Sequence, residues 1–186
     1  MKASGFKGTK GSLKAEIGMM ASQPKFLARK RGLLLIAIAV LSVAGALAAG
    51  QVATYPNLSV WYAGLTKPWF NPPNALFGPV WTTLFALMAY AVWRILRLSA
   101  STPGRSTALL MFYGQLILNA GWSWAFFAAH SPLLGLIDIV PQLFLILAAI
   151  AAFYRLDRSA AFCLVPLAIW VSFATALNFA IWRLNG

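Results

Sequence analysis

The chain has 186 residues, of which 61% are hydrophobic and 10% are charged, and its mean hydropathy is +0.76. A water-soluble domain carries about a quarter charged residues, so this composition excludes an ordinary soluble globular protein. The formal net charge is +12, but the basic residues lie near the N-terminus and at the ends of apolar runs, without an RNA-binding or helix-turn-helix pattern. Nucleic acid is therefore excluded as the expected partner.

Residues 1–32 form a basic segment in which Gly, Ser and Lys prevail. This composition is typical of disorder, so we predict a disordered N-terminal tail. A transit peptide is the alternative, because the segment is basic and nearly free of acidic residues. The sequence leaves the start of translation open between Met1, Met19 and Met20.

Five apolar runs follow, each about long enough to cross ~30 Å of hydrocarbon as an α-helix. They cover residues 33–52, 75–98, 107–129, 133–154 and 160–182. Continuous runs favour helices over the strands of a β-barrel, which alternate polar and apolar residues. The sequence therefore predicts an all-α, polytopic integral membrane protein that is a bundle of five transmembrane helices.

The longest connection, residues 53–74, contains Pro56, Pro68, Pro72 and Pro73. Prolines lack an amide hydrogen and interrupt helices, so we expect an extended or turn-rich loop. With short connections elsewhere, this segment is expected to lie across one mouth of the bundle as a lid.

The basic residues are unequally divided between the two sides that five spans define. Only Lys67 and Arg183 fall on the side of the long loop and the C-terminus. Cytoplasmic segments are enriched in Lys and Arg. The sequence thus predicts a cytoplasmic N-terminus, with the first loop on the opposite side.

No pattern typical of acid–base, nucleophilic or metal catalysis occurs in the sequence. His130, the only histidine, is interpreted as an interfacial residue; an axial haem ligand is the alternative, but a second ligand is missing. Asp138 is an acidic residue inside an apolar run, and a proton-coupled channel or carrier is an alternative that it suggests. We expect no metal site and no required cofactor.

Aromatic and amide side chains recur on one face of four predicted spans, because helical residues advance by about 100° each. The faces consist of Trp81, Phe85 and Met88; of Gln115, Asn119, Trp122 and Phe126; of Asp138, Gln142 and Leu145; and of Trp170, Ala174, Leu177 and Ile181, with Asn178 at the edge. Polar groups are costly in hydrocarbon, so these faces should point into the bundle. Interhelical hydrogen bonding is one explanation for the amides. A pocket for a large, flat, apolar ligand is the other.

A second face of the third span carries four small residues, which permit close contact between helices. It consists of Gly114, Gly121, Ala125 and Ala128. We predict that this small-residue seam is the contact surface of a homodimer.

Several sequence motifs together resemble a known family. Trp61 to Pro73 read WYAGLTKPWFNPP and Phe77 to Tyr90 read FGPVWTTLFALMAY, followed by related segments at Gln115 to Phe127 and Pro166 to Asn185. Over residues 33–185 the chain closely resembles the translocator protein family (TspO/MBR), also called tryptophan-rich sensory protein or peripheral-type benzodiazepine receptor.

The resemblance implies a five-helix bundle, usually dimeric, whose cavity is capped by the first loop. It implies a membrane receptor, sensor or transporter for porphyrins, with protoporphyrin IX or haem as the expected ligand, and for other hydrophobic small molecules in contact with membrane lipid. Sterol binding and light-dependent porphyrin breakdown are alternatives that the family suggests. Phe179 stands where animal members have the tyrosine of a proposed sterol motif, which disfavours the sterol alternative.

The resemblance also transfers roles to individual positions. Trp61, Lys67, Pro68, Pro72 and Pro73 would belong to the lid. The predicted ligand-binding residues are Trp61, Trp69, Phe70, Pro72, Trp81, Phe85, Asn119, Trp122, Asp138, Gln142, Trp170, Ala174, Leu177 and Asn178. Trp122 and Trp170 are the candidates for any photo-oxidation of bound porphyrin.

Overall fold

The computed structural model describes residues 9–186, with side chains described from residue 29 onward. This part of the chain is helical and contains no strand. The long helices are α1 (Thr9–Thr54), α2 (Asn74–Leu96), α3 (Arg105–Ser123), α4 (Pro132–Leu156) and α5 (Arg158–Asn185). The predicted all-α class is confirmed.

The N-terminal segment differs from the expected disordered tail. Residues 1–8 lie outside the described residues, and α1 begins at Thr9. Most residues between Thr9 and Gly32 are good helix formers such as Leu, Lys, Ala and Met. The part of α1 up to Ala37 is a unit of its own, and residues 38–186 form the packed bundle described below.

The expected extended loop at residues 53–74 is wrong in its first half. A 3₁₀ turn, Tyr55–Asn57, and a π-helix, Leu58–Tyr62, prolong α1, and only residues 65–73 are irregular. Pro56 lies at the start of the 3₁₀ turn, where its missing amide hydrogen breaks no bond of a continuing helix. The loop is therefore a short strap of nine residues.

Four stretches are long and apolar enough to cross a membrane: Arg29–Tyr62, Asn74–Leu96, Pro132–Leu156 and Arg158–Asn185. The predicted membrane class is supported, whereas the count of five spans is not confirmed, because α3 is not among the four. Its 19 residues include two amides, Gln115 and Asn119, which lower its apolar character. These two side chains are only 1% and 8% exposed, so α3 places its polar groups inside the bundle.

Helix α4 packs against both α3 and α5, and α2 packs against α5. Two glycines set the α3–α4 contact: a Cβ at Gly114 would lie 3.2 Å from Leu145 Cδ1, and one at Gly121 would lie 3.0 Å from Asp138 Oδ1. The two helices are thus antiparallel in a close register. A second π-helix, Trp124–Ala128, follows α3, and there Trp124 Nε1 donates to the Ala49 carbonyl of α1 at 3.1 Å.

The end of the bundle away from the strap is held by charged groups. Arg94 Nε of α2 donates to Asp157 Oδ2 at 2.7 Å, and Asp157 Oδ1 accepts from the Ala160 amide at the start of α5. Arg105 donates to the carbonyls of Ile95 and Leu96, which satisfies acceptors that the end of α2 leaves free.

Candidate ligand-binding site

One group of aromatic rings lies where the extension of α1 meets the end of α3. The Trp61 ring lies edge-on to Phe126 at 5.3 Å and to Phe127 at 6.2 Å. Trp122 stacks on Phe126 at 4.9 Å, and Tyr62 lies within 5.6 Å of Phe127. We call these five rings the α1–α3 cluster. Both π-helices contribute to it, and π-helices occur frequently at functional sites.

A second group lies between α2 and α5. The Trp170 ring lies 5.8 Å from Phe77, 6.5 Å from Trp81 and 5.6 Å from Phe173. Phe70 of the strap lies 6.3 Å from Phe173. We call these rings the α2–α5 cluster. The strap is thus packed onto the cluster by one of its own aromatic side chains.

The two clusters share one apolar core. Leu177 and Ile181 of α5 are buried together with the rings of the α1–α3 cluster. Phe70, Phe77 and Phe173 pack against this same buried core. The tryptophans on both sides, Trp61, Trp81, Trp122 and Trp170, are only half-buried. Each of these indoles therefore keeps part of its surface exposed at the edge of the shared core, which suits contact with a planar apolar molecule.

Asn178 is the polar anchor of this region. Its Oδ1 accepts a hydrogen bond from Trp122 Nε1 at 3.0 Å, and its Nδ2 donates to the Pro132 carbonyl at 2.7 Å. The side chain is buried, so both bonds are made in an apolar surrounding where an unpaired amide is costly. Asn178 thereby fixes the ring of Trp122 relative to α4 and α5.

The strap is tied down at both of its ends. Asn185 at the end of α5 accepts from the Thr66 amide and donates to the Thr66 carbonyl, each at 2.9 Å. Tyr62 Oη donates to Asn71 Oδ1 at 3.2 Å. Lys67 Nζ lies 4.6 Å from the centre of the Tyr62 ring, a cation–π contact. The strap is therefore attached to α5 and to the extension of α1, each of which contributes rings to one of the aromatic clusters.

His130 lies at the edge of the α1–α3 cluster. Its ring stacks on Trp61 at 4.9 Å with an interplanar angle of 12°, and its Nε2 lies 2.7 Å from Asn57 Oδ1. Its φ of 51° is unusual for a residue other than glycine. The exposed imidazole thus has a defined place beside Trp61, and its interfacial position stays a prediction.

Polar residues of α3 and α4 lie deeper in the bundle. Gln115 and Gln142 are 1% and 2% exposed, and Asn119 is also buried. Asp138 is half-buried against Gly121. Gln115 Nε2 lies 3.6 Å from Met88 Sδ, a weak acceptor. These four residues face other helices, as the sequence pattern predicts.

The structure brings some predicted ligand-binding residues together and separates others. Those in or directly against the aromatic clusters are Trp61, Phe70, Trp81, Phe85, Trp122, Trp170, Leu177 and Asn178. Pro72 and Ala174 are half-buried. Trp69 is 96% exposed and its one ring contact is with Phe70. Its expected place in the pocket does not agree with this geometry, because the turn at Trp69 directs the indole outward.

Several residues of the clusters are absent from the sequence-based set. Phe173 lies three residues after Trp170 and four before Leu177 of the predicted α5 face, so helical periodicity could have identified it. Phe77 opens the FGPVW motif. Tyr62 and Phe127 flank predicted residues but lie on turns of π-helix, which contain more residues per turn than an α-helix and so change the face on which a side chain lies. No local sequence pattern could have identified Asn185, because its partner Thr66 lies 119 positions away in the sequence.

The glycines of the small-residue seam face α4 of the same chain. A Cβ at either Gly114 or Gly121 would meet an α4 side chain, so these glycines explain the close α3–α4 contact. Ala125 is half-buried and Ala128 is exposed. The dimer role of Gly114, Gly121, Ala125 and Ala128 stays a prediction.

Among the described residues, no group of three or more His, Cys, Asp or Glu is placed to hold a metal ion. Cys163, half-buried on α5, is a free thiol. The aromatic clusters and Asn178 offer aromatic stacking and amide hydrogen bonds.

Comparison with known proteins gives one consistent family. Residues 36–183 match the TspO/MBR family. Tryptophan-rich protein TspO of Chlorobaculum tepidum is 43% identical over 137 residues, which are 74% of this chain and 87% of that protein. The translocator protein of Homo sapiens is 38% identical over 128 residues, which are 67% and 75%. The tryptophan-rich sensory protein of Cereibacter sphaeroides is 37% identical over 125 residues, which are 67% and 77%.

Proposed function

The chain belongs to the TspO/MBR family of integral membrane proteins, and from this premise we propose that it is a receptor or transporter that binds porphyrin-type ligands at its aromatic clusters. The names of its relatives, translocator and sensory protein, support a membrane receptor or transport role. The finer statement, a planar tetrapyrrole such as protoporphyrin IX or haem, rests on the shape and chemistry of the site.

The observation that carries the proposal is the set of half-buried indoles around a shared apolar core. Trp61 and Trp122 lie on one side of this core, and Trp81 and Trp170 on the other. A large flat ring system can contact several indoles at once, and such contacts supply affinity without ionised groups. The strap closes over this region through Phe70, which would exclude water from the bound ligand.

Sterols receive less support from the same geometry. Phe179, at the position of the proposed sterol motif, is an exposed residue of α5 whose ring contact is with Trp182. Neither residue belongs to the aromatic clusters. The site therefore favours stacking with a planar molecule over sterol recognition at this position.

We further propose that α3 is the fifth membrane span. Its amides are buried against other helices, whereas Leu110 and Ile117 on its outer face are exposed, as a lipid-facing surface requires. Five spans, together with the unequal distribution of basic residues, support a cytoplasmic N-terminus. The orientation can be tested with single cysteines introduced at residues 61–73 in a Cys163→Ala background. Labelling of these cysteines from the cytoplasmic side would contradict this orientation.

Ligand binding is tested by the quenching of tryptophan fluorescence with protoporphyrin IX in detergent. We expect saturable quenching in the micromolar range. Trp122→Leu and Trp170→Leu should each weaken binding by about tenfold, corresponding to ~1.4 kcal/mol, because each removes one ring from a cluster.

Trp69→Leu is the matched control, since its indole lies outside both clusters. It should leave the dissociation constant unchanged after correction for the lost fluorophore. Quenching that does not saturate, or equal weakening by all three substitutions, would reject the proposed site.

A further inference from the structure

Three of the stretches that can cross a membrane have one end on the side of the bundle away from the strap. They are α2, which ends at Leu96, α4, which ends at Leu156, and α5, which begins at Arg158. The ion pair between Arg94 of α2 and Asp157, at 2.7 Å, joins these three ends. The ends of membrane spans lie at the depth of the lipid headgroups, so side chains at this place are level with lipid phosphates.

Two exposed arginines accompany this ion pair, Arg97 at the end of α2 and Arg158 on α5. Arg97 Cζ lies 4.7 Å from the centre of the Trp93 ring, and Arg158 Cζ lies 5.2 Å from the centre of the Tyr154 ring. From residue 29 onward, where side chains are described, the ion pair at these helix ends is the only one. Both guanidinium groups therefore lie over an aromatic ring and have no carboxylate partner in that part of the chain.

A chain of contacts connects the two arginines into one surface. The Tyr90 and Trp93 rings lie 5.7 Å apart, and Tyr90 Oη accepts from Arg94 Nη1 at 3.0 Å. Arg94 in turn donates to Asp157, the residue next to Arg158. Tyrosine and tryptophan are typical of the membrane–water interface, so the rings agree with a position at headgroup depth.

Exposed apolar groups continue from Arg158 toward the membrane interior. Phe162 lies about one turn further along α5, and Ile169 lies about two turns beyond that on the same face. These two side chains are 62% and 67% exposed, and the Tyr154 ring lies 6.2 Å from that of Phe162. One face of α5 thus presents a cation at headgroup depth and apolar groups below it. We call the following residues the arginine–aromatic surface: Tyr90, Trp93, Arg97, Tyr154, Arg158 and Phe162.

The order of charged and apolar groups on this surface indicates its partner. A guanidinium group offers five N–H donors in a planar fork that matches phosphate oxygens, and it also packs on aromatic faces. A phospholipid has a phosphate followed by acyl chains, whereas a small soluble anion has no group that would contact the exposed rings. A zwitterionic headgroup adds a cation that the two arginines repel, and basic sites at the membrane surface therefore favour anionic lipids.

We propose that the arginine–aromatic surface binds anionic phospholipids. Their phosphate groups accept hydrogen bonds from Arg97 and from Arg158, and an acyl chain below Arg158 lies along Tyr154 and Phe162. The surface lies at the end of the bundle away from the strap, so its role does not depend on the binding of porphyrin at the aromatic clusters.

Native mass spectrometry of the delipidated full-length protein in detergent measures this selectivity. Dioleoyl phosphatidylglycerol and dioleoyl phosphatidylcholine carry the same acyl chains, so a difference between their affinities reports on the headgroup. We expect the wild-type protein to bind the phosphatidylglycerol about tenfold more tightly. Equal binding of the two lipids would overturn the proposal, and this comparison requires no variant.

Arg97→Gln/Arg158→Gln should weaken binding of the phosphatidylglycerol by about tenfold and leave binding of the phosphatidylcholine unchanged. Arg183→Gln is the matched control, because Arg183 is also exposed and lies 5.9 Å from the Trp182 ring, but at the other end of α5. It should keep the selectivity of the wild type. The basic residues 1–32 are identical in all variants and do not contribute to the differences. Equal losses in both variants, or no loss in the double variant, would reject the proposed surface.

Two further measurements distinguish a lipid from a free phosphate. Phe162→Ala should weaken binding of both lipids by the same factor, because Phe162 contacts the acyl chain and not the headgroup. Glycerol phosphate, which resembles the headgroup without chains, should not displace the phosphatidylglycerol at equal concentration. Displacement by glycerol phosphate would show that the surface recognises a free anion, and it would overturn the proposal, as would weakening of the phosphatidylglycerol alone by Phe162→Ala.

Discussion

At the residue scale, Asn178 and Gly135 act as a pair. Asn178 needs space beside α4 to reach both Trp122 and the Pro132 carbonyl. Gly135 supplies that space, since a Cβ there would lie 2.7 Å from Asn178 Oδ1 and 3.0 Å from Phe126 Cδ2. The orientation of an indole in the α1–α3 cluster thus depends on a missing methyl group on another helix.

We expect Gly135→Ala to lower the melting temperature by several degrees. Overpacking costs typically ~1–3 kcal/mol, and a chain of this size loses about 2–4 °C for each kcal/mol. Protoporphyrin affinity should fall too, because Trp122 loses its anchor. Gly45→Ala on α1 is the control: no atom lies within 4 Å of its Cβ position, and alanine stabilises a helix by roughly 0.5–1 kcal/mol. Equal effects of the two substitutions would contradict the close contact at Gly135.

At the element scale, two small connections hold helix ends together. At the end away from the strap, burial alone would raise the pKa of Asp157, but hydrogen bonds from Arg94 and the Ala160 amide outweigh it, so the pKa lies below its ordinary value. Because the carboxylate is favoured in the folded state, the connection stabilises the protein above about pH 4. That contribution is lost as the pH falls through the lower, folded-state pKa.

Asp157→Asn tests this connection, since asparagine keeps the helix-capping side chain and removes the charge. We expect the variant to melt at a lower temperature than the wild type at pH 7. The difference should shrink as the pH is lowered below about 4, where the wild-type carboxylate becomes protonated. A difference that is independent of pH would show that the Arg94 pair does not contribute through charge.

The strap depends on its connection to the end of α5. In Asn185→Ala the Thr66 amide loses its acceptor and the Thr66 carbonyl its donor. Each lost hydrogen bond lowers the local stability of the strap by about 0.5–1.5 kcal/mol. Hydrogen exchange of the Thr66 amide and its neighbours in residues 65–73 should therefore accelerate roughly tenfold. Asn74→Ala, at an exposed position, should leave this exchange unchanged. Equally fast exchange in both variants would mean that the strap is held elsewhere.

At the scale of the whole molecule, a dimer through α3 has to use the part of the helix that α4 leaves free. Gly114 and Gly121 already face α4, so Ala125 and Ala128 are the residues available to a second copy. We expect Ala125→Leu/Ala128→Leu to give monomers in mild detergent, because the larger side chains separate the helices. Light scattering of the purified protein measures this, and a dimer that survives the substitution would remove α3 from the interface.

The sequence by itself determined the membrane class, the all-helical fold and most of the aromatic faces. Hydrocarbon leaves few choices to a long apolar run, and the 100° advance of a helix places Trp81 and Trp170 on inward faces whatever their partners are. Motifs of the first loop and of α2 were sufficient to indicate the family.

Only the tertiary structure decided which residues meet. The prolines of residues 53–74 predicted an extended or turn-rich loop, yet a 3₁₀ turn and a π-helix accommodate Pro56 and carry Trp61 toward Phe126. The bond between Asn185 and Thr66, the outward position of Trp69 and the use of Gly121 by α4 depend on contacts between distant segments. Local preferences contain no information on such contacts, because their free energy is gained only when the helices have packed.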